Sequence, residues 1–382
     1  MIALSLEKLQ EAIRWRHHLH ARPELGFQET ETARFVAERL SEWGYAVRTG
    51  YGRTGVVGTL TKGSSRKVLG IRADMDALPI LEETGVDYAS KTAGVMHACG
   101  HDGHVTVALA AARELSGGSF DGTVHFIFQP AEENEGGARA MVEDGLFRDF
   151  PMDAVLGMHN WPALPVGTLV ARDDEMMAAF GTFEVWVIGR GAHGAMPHEG
   201  ADPVLAASQI VSALNTIASR NVSPLQASVV SVTQIHGGDA WNVIPERVVI
   251  RGTTRWFNAD VGDTLQARLE HAARSVAEGF GCRAEIDYQR RYPATINNAA
   301  VAAMVRASAT AVNLNVTDAA PSMAAEDFAF MLNETPGCYF WLGAARTTGD
   351  NPGLHSPRFD FNDSIIPGAV EMWCSTAINY LA

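Results

Sequence analysis

The stretch TFEVWVI (182–188) predicts the architecture of the middle of the chain. Its apolar residues recur at every second position, which is typical of a strand with one buried face. A helix, two strands, a second helix and a last strand are predicted after it, at 203–220, 227–236, 243–256, 261–278 and 283–288. This β-α-β-β-α-β order is that of a ferredoxin-like α+β module, which we place at residues 180–290.

Helical patterns and short β-rich runs alternate on both sides of this module. Helices are predicted at Leu6–His20, Thr30–Trp43 and near Met372–Leu381. Strands are predicted at Arg66–Ile71, Gly122–Phe128, Ala154–Met158 and Tyr339–Leu342. Such alternation predicts an α/β domain with a mixed central sheet and flanking helices. We therefore expect a discontinuous outer domain, residues 1–179 and 291–382, with the module inserted as a lid.

Charge and composition argue against several classes of function. The 382 residues carry 44 acidic and 30 basic side chains, a formal charge of −14. This charge repels a phosphate backbone and an anionic membrane surface, so we expect neither nucleic acid nor a membrane as a partner. Apolar runs are broken well before about 18 residues, which argues against a signal peptide or a membrane span. We therefore expect a cytoplasmic protein, and the four dispersed cysteines are unlike the dense disulfide frameworks of small secreted domains.

The segment MHACGHDGH (96–104) is the densest cluster of potential metal ligands in the chain. It follows RADMDALP (72–79), in which two acids end an apolar strand. Strand ends followed by Gly-rich loops are where open α/β sheets bind their ligands. Cys99 and His101, two residues apart on a loop, can reach one zinc, manganese, cobalt or nickel ion. For His97 and His104 we expect a packing role.

A second candidate site follows the apolar strand FIF (126–128), where Glu132 and Glu133 come after Pro130. Proline ends the strand, so both carboxylates emerge at its C-terminal edge, where they need a cation or a proton. Adjacent side chains point in different directions. One acid can therefore bind a metal while its neighbour acts as general base. The alternative is that both acids are solvated and begin a helix near residues 135–141, where they suit the helix dipole.

Three further histidines lie at strand or loop ends. His159 lies in GMHN (157–160) and His355 in GLHSP (353–357). A lone histidine is more often structural than ligating. Together with Cys99, His101 and Glu133, however, these two histidines make a five-ligand site that can hold two ions. His193 lies in the Gly-rich loop GRGAHGAMPH (189–198), where small residues allow close approach to a ligand. It can serve as a mobile donor to a developing oxyanion.

Taken together, these segments resemble the aminoacylase and carboxypeptidase-type di-metal amidohydrolases. The resemblance is closest to the hippurate hydrolases, the N-acyl-L-amino acid amidohydrolases and the auxin-conjugate hydrolases. The resembling blocks span almost the whole chain in order: RADMDALP (72–79), MHACGHDGH (96–104), QPAEE (129–133), GMHN (157–160), GRGAHGAMPH (189–198), NVIP (242–245), AAEDF (324–328) and LHSP (354–357). The CGHD block (99–102) is similar to the hippurate-hydrolase branch rather than to the aspartate-bridged carboxypeptidases and aminoacylases.

This resemblance implies hydrolysis of the amide bond of N-acyl amino acids with two divalent ions per subunit, manganese, nickel, cobalt or zinc, held by the outer, catalytic domain. It implies that Glu132 activates a water molecule and that Asp76 orients a metal ligand without binding the metal itself. In the lid, it implies that His193 reaches the site of a second subunit and that Asn242 contacts the substrate carboxylate. A homodimer or homotetramer formed through the lid is then expected. The metal ligands that the resemblance implies are Cys99, His101, Glu133, His159 and His355.

Other functions stay open on the sequence alone. A metallo-aminopeptidase or carboxypeptidase for small peptides and an N-acetyl-diaminopimelate deacetylase would use similar ligands. A different enzyme would use Cys99 as a nucleophile activated by His101 or His97. A non-catalytic binding protein would keep the fold and the lid for capture alone. It would need no base beside a metal, and Glu132 argues against it.

Overall fold

A computed structural model describes residues 4–133 and 135–382 of the chain. No helix in these ranges is both long enough and apolar enough to cross a membrane. The α-helices are α1 (Leu6–His20), α2 (Thr30–Glu42), α3 (His101–Gly117), α4 (Gly137–Glu143), α5 (Leu146–Asp149), α6 (Pro203–Leu214), α7 (Ile217–Arg220), α8 (Ala259–Gly279), α9 (Ala299–Ala311), α10 (Ala329–Glu334) and α11 (Ile366–Leu381).

The strands in the described ranges form one large sheet, one four-stranded sheet and two short ribbons. They are β1 (Ala46–Tyr51), β2 (Gly55–Lys62), β3 (Val68–Asp74), β4 (Gly122–Gln129), β5 (Ala154–Pro165), β6 (Thr168–Val170), β7 (Glu175–Met177), β8 (Ala179–Ile188), β9 (Ala192–His193), β10 (Ser228–His236), β11 (Val243–Ile244), β12 (Arg247–Trp256), β13 (Arg283–Tyr292), β14 (Thr295–Ile296), β15 (Asn315–Val316) and β16 (Gly337–Ala345).

Residue contacts divide the chain into two units. The outer unit comprises the residues up to Met176 together with Thr295–Ala320 and Asp327–Ala382, and the inner unit comprises Met177–Ala294 and Pro321–Glu326. The sequence-based boundaries place residues 321–326 in the outer domain, whereas the contacts place them in the inner unit. The reason is local hydrogen bonding, because the carbonyl oxygens of Ser322 and Ala324 accept from the amide of Ala178 at 3.0 and 2.9 Å.

An eight-stranded mixed sheet with the order β1-β2-β4-β3-β5-β16-β6-β15 forms the centre of the outer unit. Its middle is parallel, since β3 pairs with β4 and β5, and β5 pairs with β16, all in parallel register. Helix α3 packs against β3, with α1 and α11 beside it, and is buried along most of its length. The predicted mixed sheet with flanking helices is confirmed. The parallel pairing brings the carboxyl ends of β3, β4 and β5 to one edge of the sheet.

The inner unit contains an antiparallel four-stranded sheet with the order β10-β12-β8-β13. Helices α6 and α8 pack against each other and against this sheet. The apolar residues at every second position of TFEVWVI (182–188) point to the buried face of the strand. Phe183, Val185 and Val187 all lie in the core of the unit. Strand order and element order together confirm the predicted ferredoxin-like module.

Two predicted elements of the module are each divided in the structure. The helix expected at 203–220 stops at Leu214 because Asn215 and Thr216 direct their side chains to backbone carbonyls one turn earlier, at 2.8 and 2.7 Å. Such side-chain bonds compete with helix continuation. The strand expected at 243–256 is divided at Pro245, which has no amide to donate to a ladder. Its first part is β11 and its second part is β12.

Candidate metal centre

The candidate ligands of the outer unit come from segments that meet at one edge of its sheet. Strand β3 leads into Asp76, β4 leads into the turn with Glu132 and Glu133, and β5 carries His159. Because these strands are parallel neighbours, their carboxyl-terminal ends converge. His355 comes from the segment after β16, where its amide donates to the carbonyl oxygen of Ala98 at 2.8 Å. This hydrogen bond holds the His355 segment against the loop that carries Cys99.

Gly100 allows the chain to turn between Cys99 and helix α3. Its φ is 94°, a left-handed conformation that residues with a Cβ rarely adopt. A Cβ at this position would also lie 2.4 Å from Oδ1 of Asn160. Only glycine satisfies both conditions. The turn places Cys99 immediately before the helix and His101 in its first turn, so that both side chains reach the same centre.

The donor atoms of the candidate ligands form overlapping groups of three. Within each group all donor atoms lie within 4.8 Å of one another, and the groups include Cys99 with His101 and His159, and Cys99 with Glu133 and His355. A further group joins His101 to Glu132 and Glu133. The structure therefore brings together all five predicted ligands and the predicted base. Cys99 belongs to two groups that share no other member.

Hydrogen bonds orient two of the histidines for metal binding. Nδ1 of His101 lies 2.9 Å from the carbonyl oxygen of Asp76, and Nδ1 of His159 lies 2.7 Å from that of Asn160. A carbonyl only accepts, so Nδ1 carries the proton in both rings and Nε2 offers its lone pair. Nε2 of His101 is buried and has no hydrogen-bond partner among residues 4–133 and 135–382. Imidazole ligands of metals are held in this way, so the residues fit a metal ion.

Asp76 contacts two of the ligand-bearing segments at once. Its Oδ1 lies 3.2 Å from Nδ1 of His101, and its Oδ2 accepts from the amide of Glu133 at 3.0 Å. The side chain is almost completely buried. One carboxylate thus holds both a ligand imidazole and the backbone of a ligand carboxylate. This is the contact that the orienting role of Asp76 requires.

The electrostatics of the cluster disfavour a free thiolate. Burial, followed by the nearby carboxylates of Glu133 and Glu132, raises the pKa of Cys99 well above its usual value. A cysteine nucleophile needs the opposite shift, so the nucleophile interpretation loses its physical basis. The nearby carboxylate of Glu133, whose Oε1 lies 3.2 Å from Nε2 of His355, raises the pKa of that histidine. Burial lowers the pKa of His159 well below its usual value.

Asp74 and Asn160, to which the sequence analysis gave no role, form a buried network with His104 beside the ligands. Nδ1 of His104 lies 2.6 Å from Oδ1 of Asp74, and its Nε2 lies 2.6 Å from Oδ1 of Asn160. Arg72 donates to Oδ2 of Asp74 at 2.6 Å and, despite the burial, helps to hold the pKa of that acid well below its usual value. Both ring nitrogens of His104 are engaged in this network, and with Asp74 and His101 it also forms a group of possible metal donors. Its position three residues after His101, on the same helix face, is the signal that could have linked it to the site.

The solvated-acid alternative for Glu132 and Glu133 is wrong. Helix α4 begins only at Gly137, and its N-cap is Gly136, so neither acid lies in the first turn of a helix. Glu132 is buried and Glu133 is largely buried. Both acids lie in the turn after β4 and face the candidate ligands rather than solvent.

His193 and Asn242 lie side by side in the inner unit. The expected Gly-rich loop contains the short strand β9, which pairs with β11 so that His193 lies opposite Val243. The amide of Gly194 donates to the carbonyl oxygen of Asn242 at 2.7 Å. Nδ1 of His193 accepts from the amide of Ala195 at 3.0 Å, which leaves Nε2 as the ring nitrogen that carries the proton. Both predicted residues are exposed on the surface of this unit.

Comparisons with known proteins agree with this geometry. Residues 70–379 match peptidase family M20/M25/M40. The chain is 42% identical over 364 residues to an N-acetyl-L-cysteine deacetylase of Bacillus subtilis, with 95% of this chain and 86% of the relative covered. It is 40% identical over 371 residues to the hippurate hydrolase of Campylobacter jejuni, with 96% and 95% covered.

A solved structure similar to this one is a dinuclear metal-binding peptidase from Bacillus subtilis. The two structures superpose with a TM-score of 0.86 at 32% sequence identity, and the match covers 99% of both chains. The similarity therefore extends over both units and includes the segments that carry the candidate ligands.

Proposed function

Because this chain belongs to peptidase family M20/M25/M40, we propose that it hydrolyses the amide bond of N-acyl amino acids with two divalent metal ions. The products are a free amino acid and a carboxylic acid. The relatives named as an N-acetyl-L-cysteine deacetylase and a hippurate hydrolase support this substrate class. The dinuclear metal-binding relative supports two ions per chain.

The observation that carries the proposal is the position of Cys99 in two ligand groups beside the acid pair. One ion would be held by Cys99, His101 and His159, and the other by Cys99, Glu133 and His355. Cys99 would then contribute to both ions, and the mixed sulfur, nitrogen and oxygen donors would suit divalent transition metals. Manganese, nickel, cobalt and zinc all suit this donor set.

When bound, the two ions would polarise the amide carbonyl and acidify a water molecule in the site. Glu132 takes the proton from this water as it attacks the carbonyl carbon and later returns it to the leaving amine. Asp76 keeps His101 and the amide of Glu133 in place during the reaction. No covalent bond between protein and substrate is needed, because water is the nucleophile.

For the inner unit we propose the role of a lid that dimerises. Its edge strand β10 is open on one side, and Ile235, Trp241 and Val243 are 50%, 107% and 53% exposed. An open strand edge and exposed apolar side chains favour association with another chain. His193, with its proton on Nε2, would donate to the oxyanion in the second subunit. Asn242 would bind the carboxylate of the substrate.

We also propose a cytoplasmic location. Cys99, Cys282, Cys338 and Cys374 form no disulfide bonds, which is typical of a reducing compartment. The net charge of −14 supports a small-molecule substrate rather than a nucleic acid or an anionic membrane.

A substrate and metal panel tests the proposed function. The protein is dialysed against a chelator and then assayed for amine release from hippurate, N-acetyl amino acids and N-acetyl-diaminopimelate. We expect no turnover without metal and recovery with manganese, nickel, cobalt or zinc. Full activity in rigorously metal-free protein would overturn the role of the metals. No amine release with any metal would overturn the proposed activity.

A further inference from the structure

Glu29 is a buried acid that joins three separate segments of the outer unit. One carboxylate oxygen, Oε1, accepts from the amide of Phe27 at 3.0 Å and from the amide of Ala131 at 2.8 Å. The other oxygen, Oε2, accepts from the hydroxyl of Thr54 at 2.5 Å. The side chain of Glu29 has no exposed surface. None of these partners belongs to the ligand groups of the metal centre.

Both amides that bind Oε1 belong to residues with a strained backbone. Phe27 has a φ of 60° and Ala131 a φ of 51°, a region that residues with a Cβ occupy only when their surroundings hold them there. The two turns also press against each other, because a Cβ at Gly26 would lie 3.1 Å from Cβ of Ala131. One oxygen of Glu29 thus joins the two turns through their amides.

Ala131 immediately precedes Glu132 and Glu133, so its backbone angles set the direction of both acids. We propose that Glu29 is a positioning residue that holds the Ala131 turn so that the base and the ligand carboxylate face the metal centre. This inference deepens the proposed function and rests on it. Glu29 belongs to none of the metal-donor groups found among the described residues, so it would act on the site through the amide of Ala131.

The reach of the Glu29 side chain matters more than its charge. Burial, opposed by the hydrogen bond from Thr54, raises the pKa of Glu29 to about 7. A neutral carboxyl keeps the accepting oxygen for both amides and can donate to the Thr54 hydroxyl. Glutamine offers the same geometry, with its carbonyl towards the amides and its NH₂ towards Thr54. Aspartate keeps the acid but is one methylene shorter, so it cannot reach all three partners.

Glu24 provides a matched control in the same segment. It also accepts two backbone amides and a threonine hydroxyl, from Glu31 at 3.0 Å, Thr32 at 2.9 Å and Thr30 at 3.2 Å. These partners belong to the start of α2 and not to the turn after β4. Shortening Glu24 therefore removes a comparable set of hydrogen bonds without releasing Ala131.

The test compares Glu29→Asp, Glu29→Gln and Glu24→Asp in the full-length, manganese-loaded protein. We expect Glu29→Asp to lower kcat by about 10- to 100-fold, the range seen when a support of a metal site is lost, with little change in KM. Glu29→Gln should keep kcat close to that of wild type, because its amide can make the same three hydrogen bonds. Glu24→Asp should also lower the melting temperature, although by less because Glu24 is only half-buried, while kcat is retained.

Equal kcat losses in Glu29→Asp and Glu24→Asp would overturn the inference, because the effect would then be general destabilisation. A Glu29→Gln protein as impaired as Glu29→Asp would also overturn it. Manganese titration of the metal-free proteins gives a second reading that needs no substrate, since Glu133 lies on the same turn. Weaker manganese binding in Glu29→Asp than in Glu24→Asp supports the positioning role even if wild type hydrolyses none of the substrates. Equal binding counts against it.

Discussion

Sγ of Cys99 lies 3.3 Å from Nε2 of His159. The ring nitrogen that faces the sulfur is the one left without the proton, because Nδ1 is bonded to a carbonyl oxygen. The same sulfur also belongs to the group with Glu133 and His355. Cys99 is thus a member of both ligand groups, whereas His159 belongs to only one of them.

This asymmetry predicts different metal contents for two substitutions. Cys99→Ala should lose both ions, because it removes a donor from each set. His159→Gln should lose one ion and keep the other. Metal per chain, measured by elemental mass spectrometry after gel filtration, distinguishes the two outcomes. A Cys99→Ala protein that retains two ions would show that the sulfur is not shared.

The two adjacent acids are predicted to differ in what they contribute. Glu132→Gln should keep the metal and lose about 10²- to 10⁴-fold in rate, the usual cost of removing a general base. Glu133→Gln should weaken metal binding itself, because that acid is grouped with Cys99 and His355. Rate and metal content are measured on the same preparations. Near-normal turnover in metal-loaded Glu132→Gln would remove Glu132 from the mechanism.

Local patterns predicted the parts of the fold and site that depend on neighbouring residues. The period-two apolar pattern at 182–188 identified a strand of the module, because side chains of a strand alternate between its faces. Cys99 and His101 were found because two ligand types on one short loop can reach one ion. His159 and His355 could be added only as members of a set, since a lone histidine carries little information.

Long-range contacts explain what the sequence did not reveal. Glu29 and Ala131 are 102 positions apart, and no periodic pattern marks a buried acid that serves a distant amide. Asp74 and Asn160 meet through His104 only after the parallel strands have assembled. The end of α6 at Asn215 depends on a hydrogen bond from a side chain to the backbone. Such a bond requires a particular rotamer, which helix propensity does not specify.

Buried His20 predicts a pH dependence of stability. Its Nδ1 lies 2.8 Å from Oδ2 of Asp102 and its Nε2 lies 3.2 Å from Oε1 of Glu82. Burial lowers its pKa, but the two acids outweigh this and raise it to about 9. A pKa raised on folding stabilises the protein fully below the unfolded value of about 6.5. This stabilisation, on the order of 3 kcal/mol, declines as the pH rises above about 6.5 and is lost once the pH has passed about 9.

The measurement is the difference in melting temperature between wild type and His20→Gln across this pH range. We expect the advantage of wild type to be large at pH 6, to shrink as the pH rises from about 6.5 to about 9, and to be gone above that. His18→Gln on the same helix is the control, because burial lowers the pKa of His18 and that ring is neutral in both states above pH 6.5. A constant difference for His20→Gln would rule out a charged His20.

The last prediction is that two subunits share each active site. His193 lies on a short exposed strand of the inner unit with Nδ1 bonded to the amide of Ala195. Its remaining ring proton is therefore available to a partner. If the lid dimerises, His193 of one subunit completes the site that contains Glu132 of the other. Two inactive variants, His193→Ala and Glu132→Gln, should then complement each other when their subunits exchange.

In each hybrid dimer, one site contains both Glu132 and His193 intact and the other lacks both. Random pairing makes about half of the dimers hybrid, so roughly a quarter of wild-type activity should return on mixing. If His193 acts within its own chain, every site stays defective and mixing restores nothing. Exchange is verified by native mass spectrometry of differently tagged subunits. Verified exchange without recovered activity would refute the shared site and would leave the metal chemistry of the outer unit untouched.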